Sequence, residues 1–226
     1  MRFGQALTAL ILWFFALLGV ADASAAPVVG VVAQLSGPMT ARGADGTLRP
    51  LVLKSEVAGG DTLLTGSGAY ALVRFIDNSE LTLRPDTSVK IDQFSFQDAR
   101  PEQDSAAFTL IKGGLRSVTG LLGKRSKEKY AMQTPSATIG IRGTTFFLEY
   151  IVAAGEAAAS PGLDPGLHVH VSEGGISLVN EAGAFQYDPG QFGYIKDIRT
   201  KPVKMFANPG MRFTPPASFG AGEALR

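Results

Sequence analysis

Cysteine is absent from this 226-residue chain, and three readings go with it. There can be no disulfide framework, no Cys-based metal site and no acylated cysteine tethering the chain as a lipoprotein. Histidine is nearly as scarce: His168 and His170 are the only imidazoles. The single tryptophan, Trp13, sits in the N-terminal apolar run, so it offers nothing to a sugar-stacking surface on the rest of the chain. An excess of either charge is also missing, with 21 bases against 20 acids. That balance gives no support to nucleic-acid binding. Beyond the N-terminal run, no stretch is long and apolar enough to span a membrane.

The N-terminus reads as an export signal. Met1-Arg2 gives a short positive start, Ala6–Val20 is apolar, and Ala21-Asp22-Ala23 and Ala23-Ser24-Ala25 offer small-x-small cleavage sites. The run is about 15 residues, whereas a spanning helix needs roughly 20. This predicts a signal peptide over residues 1–25, no membrane span after its removal, and a periplasmic or secreted location. Cleavage removes Arg2 and Asp22 together, so the net charge stays at +1. About 200 residues remain, enough for one domain with a sizeable core.

What the chain does have is glycine and proline, 27 and 13 residues, falling between short alternating apolar runs. That pattern predicts an all-β domain, sandwich-like, barrel-like or solenoid-like. Strands are expected at Val28–Leu35, Asp61–Leu64, Ala69–Ile76, Leu81–Leu83, and around Val89 and Ile91 with Phe94 and Phe96 just beyond. Phe108–Ile111 and Leu115–Val118 flank Gly113-Gly114, which reads as a tight corner. Tyr130–Gln133 follows, then Ala137–Arg142, a break at Gly143, and Phe146–Val152. Leu167, Val169 and Val171 alternate with His168, His170 and Ser172, which places the two histidines on a polar, solvated face. Ile176–Val179, Phe185–Tyr187 and Phe192–Ile195 complete the set. No helix of ordinary length is expected after the signal peptide. The β domain is drawn over residues 26–200. From Lys201 a Pro-rich tail, 201–226, reads as irregular, with Phe206, Met211, Phe213 and Phe219 packing back on the domain.

The most informative run is Thr134-Pro135-Ser136-Ala137-Thr138-Ile139-Gly140-Ile141-Arg142-Gly143-Thr144-Thr145-Phe146. It resembles the signature of the FecR domain, the periplasmic part of ferric-citrate-type iron regulators. Other segments match in order: Gly60-Asp61-Thr62-Leu63-Leu64-Thr65-Gly66, Val73–Leu83 with its Asp77-Asn78-Ser79 turn, Gly114-Leu115-Arg116, Glu173-Gly174-Gly175-Ile176 and Pro189-Gly190-Gln191. Gly60, Asp61, Gly66, Asp77, Gly114, Gly140, Gly143, Thr144, Gly174 and Gly190 are the structural motif residues of this resemblance. The glycines stand where strands end or backbones approach closely, and the aspartates where a side-chain oxygen caps a turn. The resemblance implies a solenoid-like β domain acting by protein contact. In the transmembrane regulators a cytoplasmic segment controls a sigma factor and the periplasmic part senses an outer-membrane receptor. Here nothing precedes the signal peptide and no α/β unit follows Ile195. The expectation is therefore a stand-alone exported module without an anti-sigma segment, and iron specificity is not inherited.

Reactive chemistry is hard to assemble. No G-x-S-x-G elbow occurs, and Gly123-Lys124-Arg125-Ser126 has Val118 and Arg125 where a phosphate loop needs Gly and Ser or Thr. His168 and His170 lie two apart on a strand but lack further ligands for a metal, with Glu173 the nearest candidate. No cofactor, no metal and no enzymatic activity are expected. Lys124, Arg125, Lys127 and Lys129 read as a solvated connection, or a contact for an acidic partner. Ala153–Gly166 reads as a loop of variable length, or a flap. Arg142, between two glycines, is placed to reach a carboxylate at the kink or a partner. Arg142, His168 and His170 are the candidate partner-binding residues. The expected partner is an envelope protein held at a sheet edge. A cell-wall glycan, or a structural place in an envelope assembly, is the alternative.

Overall fold

A computed structural model of the chain describes residues 26–152 and 162–219. The predicted signal peptide and most of the Ala153–Gly166 loop lie outside the described residues. Within them the chain is all-β, with 17 strands in one hydrogen-bonded system. The first group is β1 (Val28–Leu35), β2 (Met39–Arg42), β3 (Leu48–Leu51), β4 (Glu56–Ala58), β5 (Thr62–Thr65), β6 (Ala71–Phe75), β7 (Glu80–Leu83) and β8 (Ser88–Ser95). The long β9 (Ser105–Val118) leads to a short helix, α1 (Leu121–Arg125). Then come β10 (Tyr130–Gln133), β11 (Thr138–Ile141), β12 (Thr145–Ile151), β13 (Gly166–Glu173), β14 (Ile176–Asn180), β15 (Gly183–Tyr187), β16 (Phe192–Ile195) and β17 (Val203–Met205).

The strands form two facing rows that share β9. Row I runs β4-β1-β6-β7-β9-β12-β13-β16-β17, using the second half of β9. Row II runs β3-β2-β5-β8-β9-β10-β11-β14-β15, using the first half. The chain passes back and forth between the rows while advancing along both, so a sandwich cross-section is combined with solenoid-like progress. Gly113-Gly114 is consequently not a corner between two strands. β9 runs straight through it, and Gly113, at φ +83°, turns the strand from one row to the other. A side chain at Gly113 would meet Thr87 at 2.5–2.9 Å, so both the conformation and the space require glycine.

The core fills the gap between the rows. Alternation supplies it: Ala71, Val73 and Phe75 of β6, Leu81 and Leu83 of β7, and Val169 and Val171 of β13 all point inward and are buried. Phe75 of row I stacks on Phe94 of row II, ring centroids 4.9 Å apart, and Phe108 sits edge-on to Phe75 at 5.3 Å. Phe94 joins Val89 and Ile91 despite its odd spacing because the β8 register shifts between Ile91 and Gln93, a bulge that reverses the facing. Tyr130 of row II meets Phe146 of row I. Its hydroxyl lies 3.3 Å from Ser117 Oγ, and burial raises its ionisation well above the usual tyrosine range.

The tail from Lys201 is not wholly irregular. Pro202 and Pro209 bracket a proline-free stretch in which Val203–Met205 adds β17 to β16. A single 3-10 turn follows at Ala217–Phe219. Met211, Phe213 and Phe219 are buried, whereas Phe206 stands 81% exposed rather than packing back.

Candidate functional site

The signature run forms a junction rather than a reactive site. β11 ends at Ile141, Gly143 takes φ +66°, and β12 leaves in the opposite row. Thr144 ties this break to the β13–β14 turn. Its hydroxyl donates to the Gly175 carbonyl at 2.6 Å and accepts the Arg142 amide at 3.1 Å. Gly174, at φ +74°, lies so close to Gly143 that a Cβ would fall 2.1 Å from the Gly143 carbonyl oxygen. Arg142 crosses Gly175 and pairs with Asp188 at 2.9 Å, both side chains about half exposed. Gly140 lies within β11, and Gly190 in the turn between β15 and β16.

The aspartates cap turns as their chemistry directs. Asp77 Oδ1 accepts the Ser79 amide at 2.9 Å, while Oδ2 accepts the Leu122 amide at 3.1 Å and so anchors α1. Asp61, in the turn with Gly60 before β5, accepts the Ala58 amide at 2.8 Å and pairs with Arg49. Gly66, just after β5, packs against Pro38.

His168 and His170 are not on a solvated face: they are 3% and 9% exposed. Two lines of residues, each directly opposite the next, cross the outer side of row I. One runs Leu72, Thr82, Arg116, Phe147, His170, Phe192, Met205. The other runs Gly114, Glu149, His168, Tyr194, Val203, with Arg84 beside Gly114, whose carbonyl accepts the Arg84 backbone N–H. The C-terminal segment lies over these lines. Phe213 packs edge-on against Phe147 and Tyr70, and Phe219 against Tyr70. Met211 joins Phe147 and Phe192 in a second, smaller core. Asn208 shapes the turn into this roof, accepting the Gly210 and Met211 amides. Strict alternation predicts polar residues at these positions; it carries no signal that a distant segment covers them.

Under the roof the two imidazoles stack on aromatic rings and the Glu149 carboxylate is paired, while Arg84 Nε, Arg116 Nε and His168 Nδ1 are buried without a hydrogen-bond partner among the described residues. His170 stacks on Phe192 at 4.0 Å and His168 on Tyr194 at 4.9 Å. The His168 Nε2–H donates to the Asp164 carbonyl at 2.8 Å. Arg84 and Glu149 form an ion pair of 2.6 Å with side chains 13% and 3% exposed. Gly114 makes this possible: a Cβ there would stand 2.8 Å from Arg84 Cδ, closing the path to Glu149. Among the described residues no three of His, Cys, Asp and Glu gather as a metal site.

In the basic stretch after β9, Lys124 and Lys127 are exposed, while Arg125 and Lys129 are anchored. Arg125 binds Asp104 through two nitrogens at 2.8 and 2.9 Å, reaches the carbonyls of Gln97 and Asp98, and lies 4.4 Å above the Phe96 ring. The Arg125 hydrogen bond is the main cause holding the Asp104 carboxyl below its usual range. Lys129 donates to the Pro101 carbonyl at 2.9 Å.

What remains open is backbone at the row ends. At the first end, β3 carries Pro50, the β4 amide of Ala58 is taken by Asp61, and the Glu56 carbonyl accepts from Arg49. At the other end β15 has no strand beyond it among the described residues, and Gly183, Ala184 and Gln186 are exposed.

Fold and junction together define a two-row β domain whose distinctive residues shape backbone rather than assemble reactive groups. The family described as FecR protein matches residues 61–177, 117 of 226 residues, and the chain belongs to that family. No curated protein matches. Among solved structures, a crystal structure at 2.50 Å named "putative anti-sigma factor", from Parabacteroides distasonis ATCC 8503, is 13% identical with a TM-score of 0.48. The match covers 64% of this chain and 58% of that one, so this chain spans little more than half of its length. A 1.65 Å crystal structure of the same description gives a TM-score of 0.46 at the same identity and coverage. A "Cell surface anchoring domain" is 26% identical over 28% of this chain and 84% of its own length, with a TM-score of 0.28. The assignment rests on the family match.

Proposed function

We propose that this protein is an exported, non-catalytic FecR-type module that acts through protein–protein contact in envelope signalling or regulation. Membership of the FecR family supports a signalling or regulatory role. Export is read from the apolar run and cleavage sites of residues 1–25. The observation carrying the contact mode is the division of labour in the fold. Arg142, His168, His170 and Glu149 are occupied within the domain, while among the described residues the backbone at the β15 end of row II is open. An extended segment of another protein can add to such an edge through main-chain hydrogen bonds. A glycan surface would need exposed aromatic faces, and among the described residues Phe206 is the one large exposed aromatic.

The test is site-directed photo-crosslinking of the full chain expressed in a cell with an envelope, with the probe at Gln186 and then at Arg142. Export predicts a mature N-terminus following Ala23 or Ala25 in the periplasmic fraction, and contact predicts a cross-linked envelope protein. An uncut chain in the cytoplasm would overturn export. Strong retention on purified cell-wall glycan with no protein adduct would overturn the contact mode.

A further inference from the structure

We infer that β15 is a self-complementary edge through which two copies of this chain pair, joining row II of one copy to row II of the other. This goes beyond the signalling reading and does not depend on it: a second copy and a segment of an envelope protein would compete for this edge, so the test uses the purified chain alone.

The orientation of the β15 backbone follows from the register. The Arg142 amide donates to the Gly175 carbonyl at 2.9 Å. Bonded and non-bonded pairs alternate along an antiparallel ladder. Gly140↔Ser177 and Thr138↔Val179 are therefore the bonded pairs of β11 with β14. Ser177 and Val179 spend their backbone groups on β11, so β14 bonds β15 through Ile176, Leu178 and Asn180, opposite Tyr187, Phe185 and Gly183. Ala184 and Gln186 are left with N–H and C=O directed away from the sheet. These two residues flank Phe185 symmetrically.

That symmetry is what a two-fold pairing needs. Centred on Phe185, an antiparallel partner places its Gln186 opposite Ala184 and its Ala184 opposite Gln186. Both are outward-directed positions, so the edge gains four main-chain hydrogen bonds with no residue out of phase. Phe185 is partly buried against the core. Its ring would meet the same ring of the partner subunit across a non-bonded pair, where Cα atoms stand about 4.5 Å apart. The pairing carries the apolar core across the join. Gly183-Ala184-Phe185-Gln186-Tyr187 contains no charge and no proline, so no like charges meet across the two-fold. The other ends lack this arrangement: β3 has Pro50, β4 is capped by Asp61 and Arg49, and β17 is three residues long and carries Lys204. Edges without such guards are templates for pairing, and a C2 dimer requires a surface complementary to itself.

The test uses the full mature chain in sedimentation velocity from 1 to 100 µM, scaled to about the affinity range of modest interfaces. The wild type is expected to move from monomer to dimer as concentration rises. Gln186→Pro removes one outward N–H and none that bonds β14, so it should weaken dimerisation at least tenfold with an unchanged circular-dichroism spectrum. Ala184→Lys, which brings two ammonium groups toward the two-fold, should do the same without any backbone change. Phe185→Cys provides an independent readout, because the chain has no other cysteine and the opposed Cα atoms fall at about the spacing a disulfide bridges. Oxidation should give a covalent dimer. A wild type that stays monomeric at 100 µM would overturn the inference. So would a dimer that is unaffected by Gln186→Pro and Ala184→Lys and is not trapped by Phe185→Cys.

Discussion

The two rows share a core yet differ on the sides turned away from it. Row II carries Lys90, Thr109, Thr138, Ser177 and Gln186 outward, with the Lys90–Asp92 pair 45% and 27% exposed. Row I carries Arg84, Glu149, His168 and His170 outward, and the segment from Met205 to Phe219 covers much of that side. Both sides come from the same apolar–polar alternation, but the roofed part of row I is dry. Alternation tells which residues share a face; it does not tell what lies over the face. The same ion pair therefore has different worth in the two places. Exposed pairs contribute about 0–1 kcal/mol, whereas stranding one partner of a buried pair costs about 3–5 kcal/mol.

The largest expected effect tests that contrast directly. Glu149→Ala should destabilise the domain by about 3–5 kcal/mol in urea unfolding, because Arg84 is left buried without its carboxylate. Lys90→Ala should cost under about 1 kcal/mol. Equal losses would erase the distinction between the rows. Next comes the roof itself. Phe213→Ala removes a ring packed on Phe147 and Tyr70 and should cost about 3 kcal/mol. Hydrogen exchange should rise along β12 and β13 and stay unchanged along β5 and β8.

A smaller effect separates a charged anchor from the bare face. Asp104 is held below its ordinary 3.8 by Arg125, so near pH 4 the folded chain binds fewer protons than the unfolded one. Its stabilisation is complete above the unfolded value and is lost as pH falls through the lower folded value. Asp104→Asn should flatten the fall in Tm below pH 4. Smaller still is Tyr187→Phe. Burial pushes this phenol up to about 12, and its hydroxyl has no hydrogen-bond partner among the described residues. At neutral pH the substitution should be neutral or stabilise by up to about 1 kcal/mol. Above pH 10 the unfolded phenol ionises first, so wild-type stability declines, and the variant should decline less.

Much of the fold was legible because burial is periodic. Val28–Leu35, Tyr130–Gln133 and Phe192–Ile195 are strands with those same ends. β2, β3 and β4 escaped notice because Ser36–Gly60 is dense in Gly, Pro and Ala and each strand is only three or four residues long. Phe94 read as lying just beyond the Val89 and Ile91 alternation, since the bulge that brings it onto their face leaves no mark in composition. The break at Gly143 was visible from the sequence, but the bond from Thr144 to Gly175 depends on chain proximity that spacing does not reveal. The same holds for Arg84 and Glu149, 65 positions apart. The burial of His168 and His170 depends on residues about forty positions downstream, and no local pattern registers that.

β9 has a consequence for how such a domain can respond to force or to a partner. Its first half is stitched into one wall and its second half into the other, with no loop between them. Among the described residues the two walls are therefore joined through one continuous strand, and parting them would require breaking the ladder of β9 with one wall or the other.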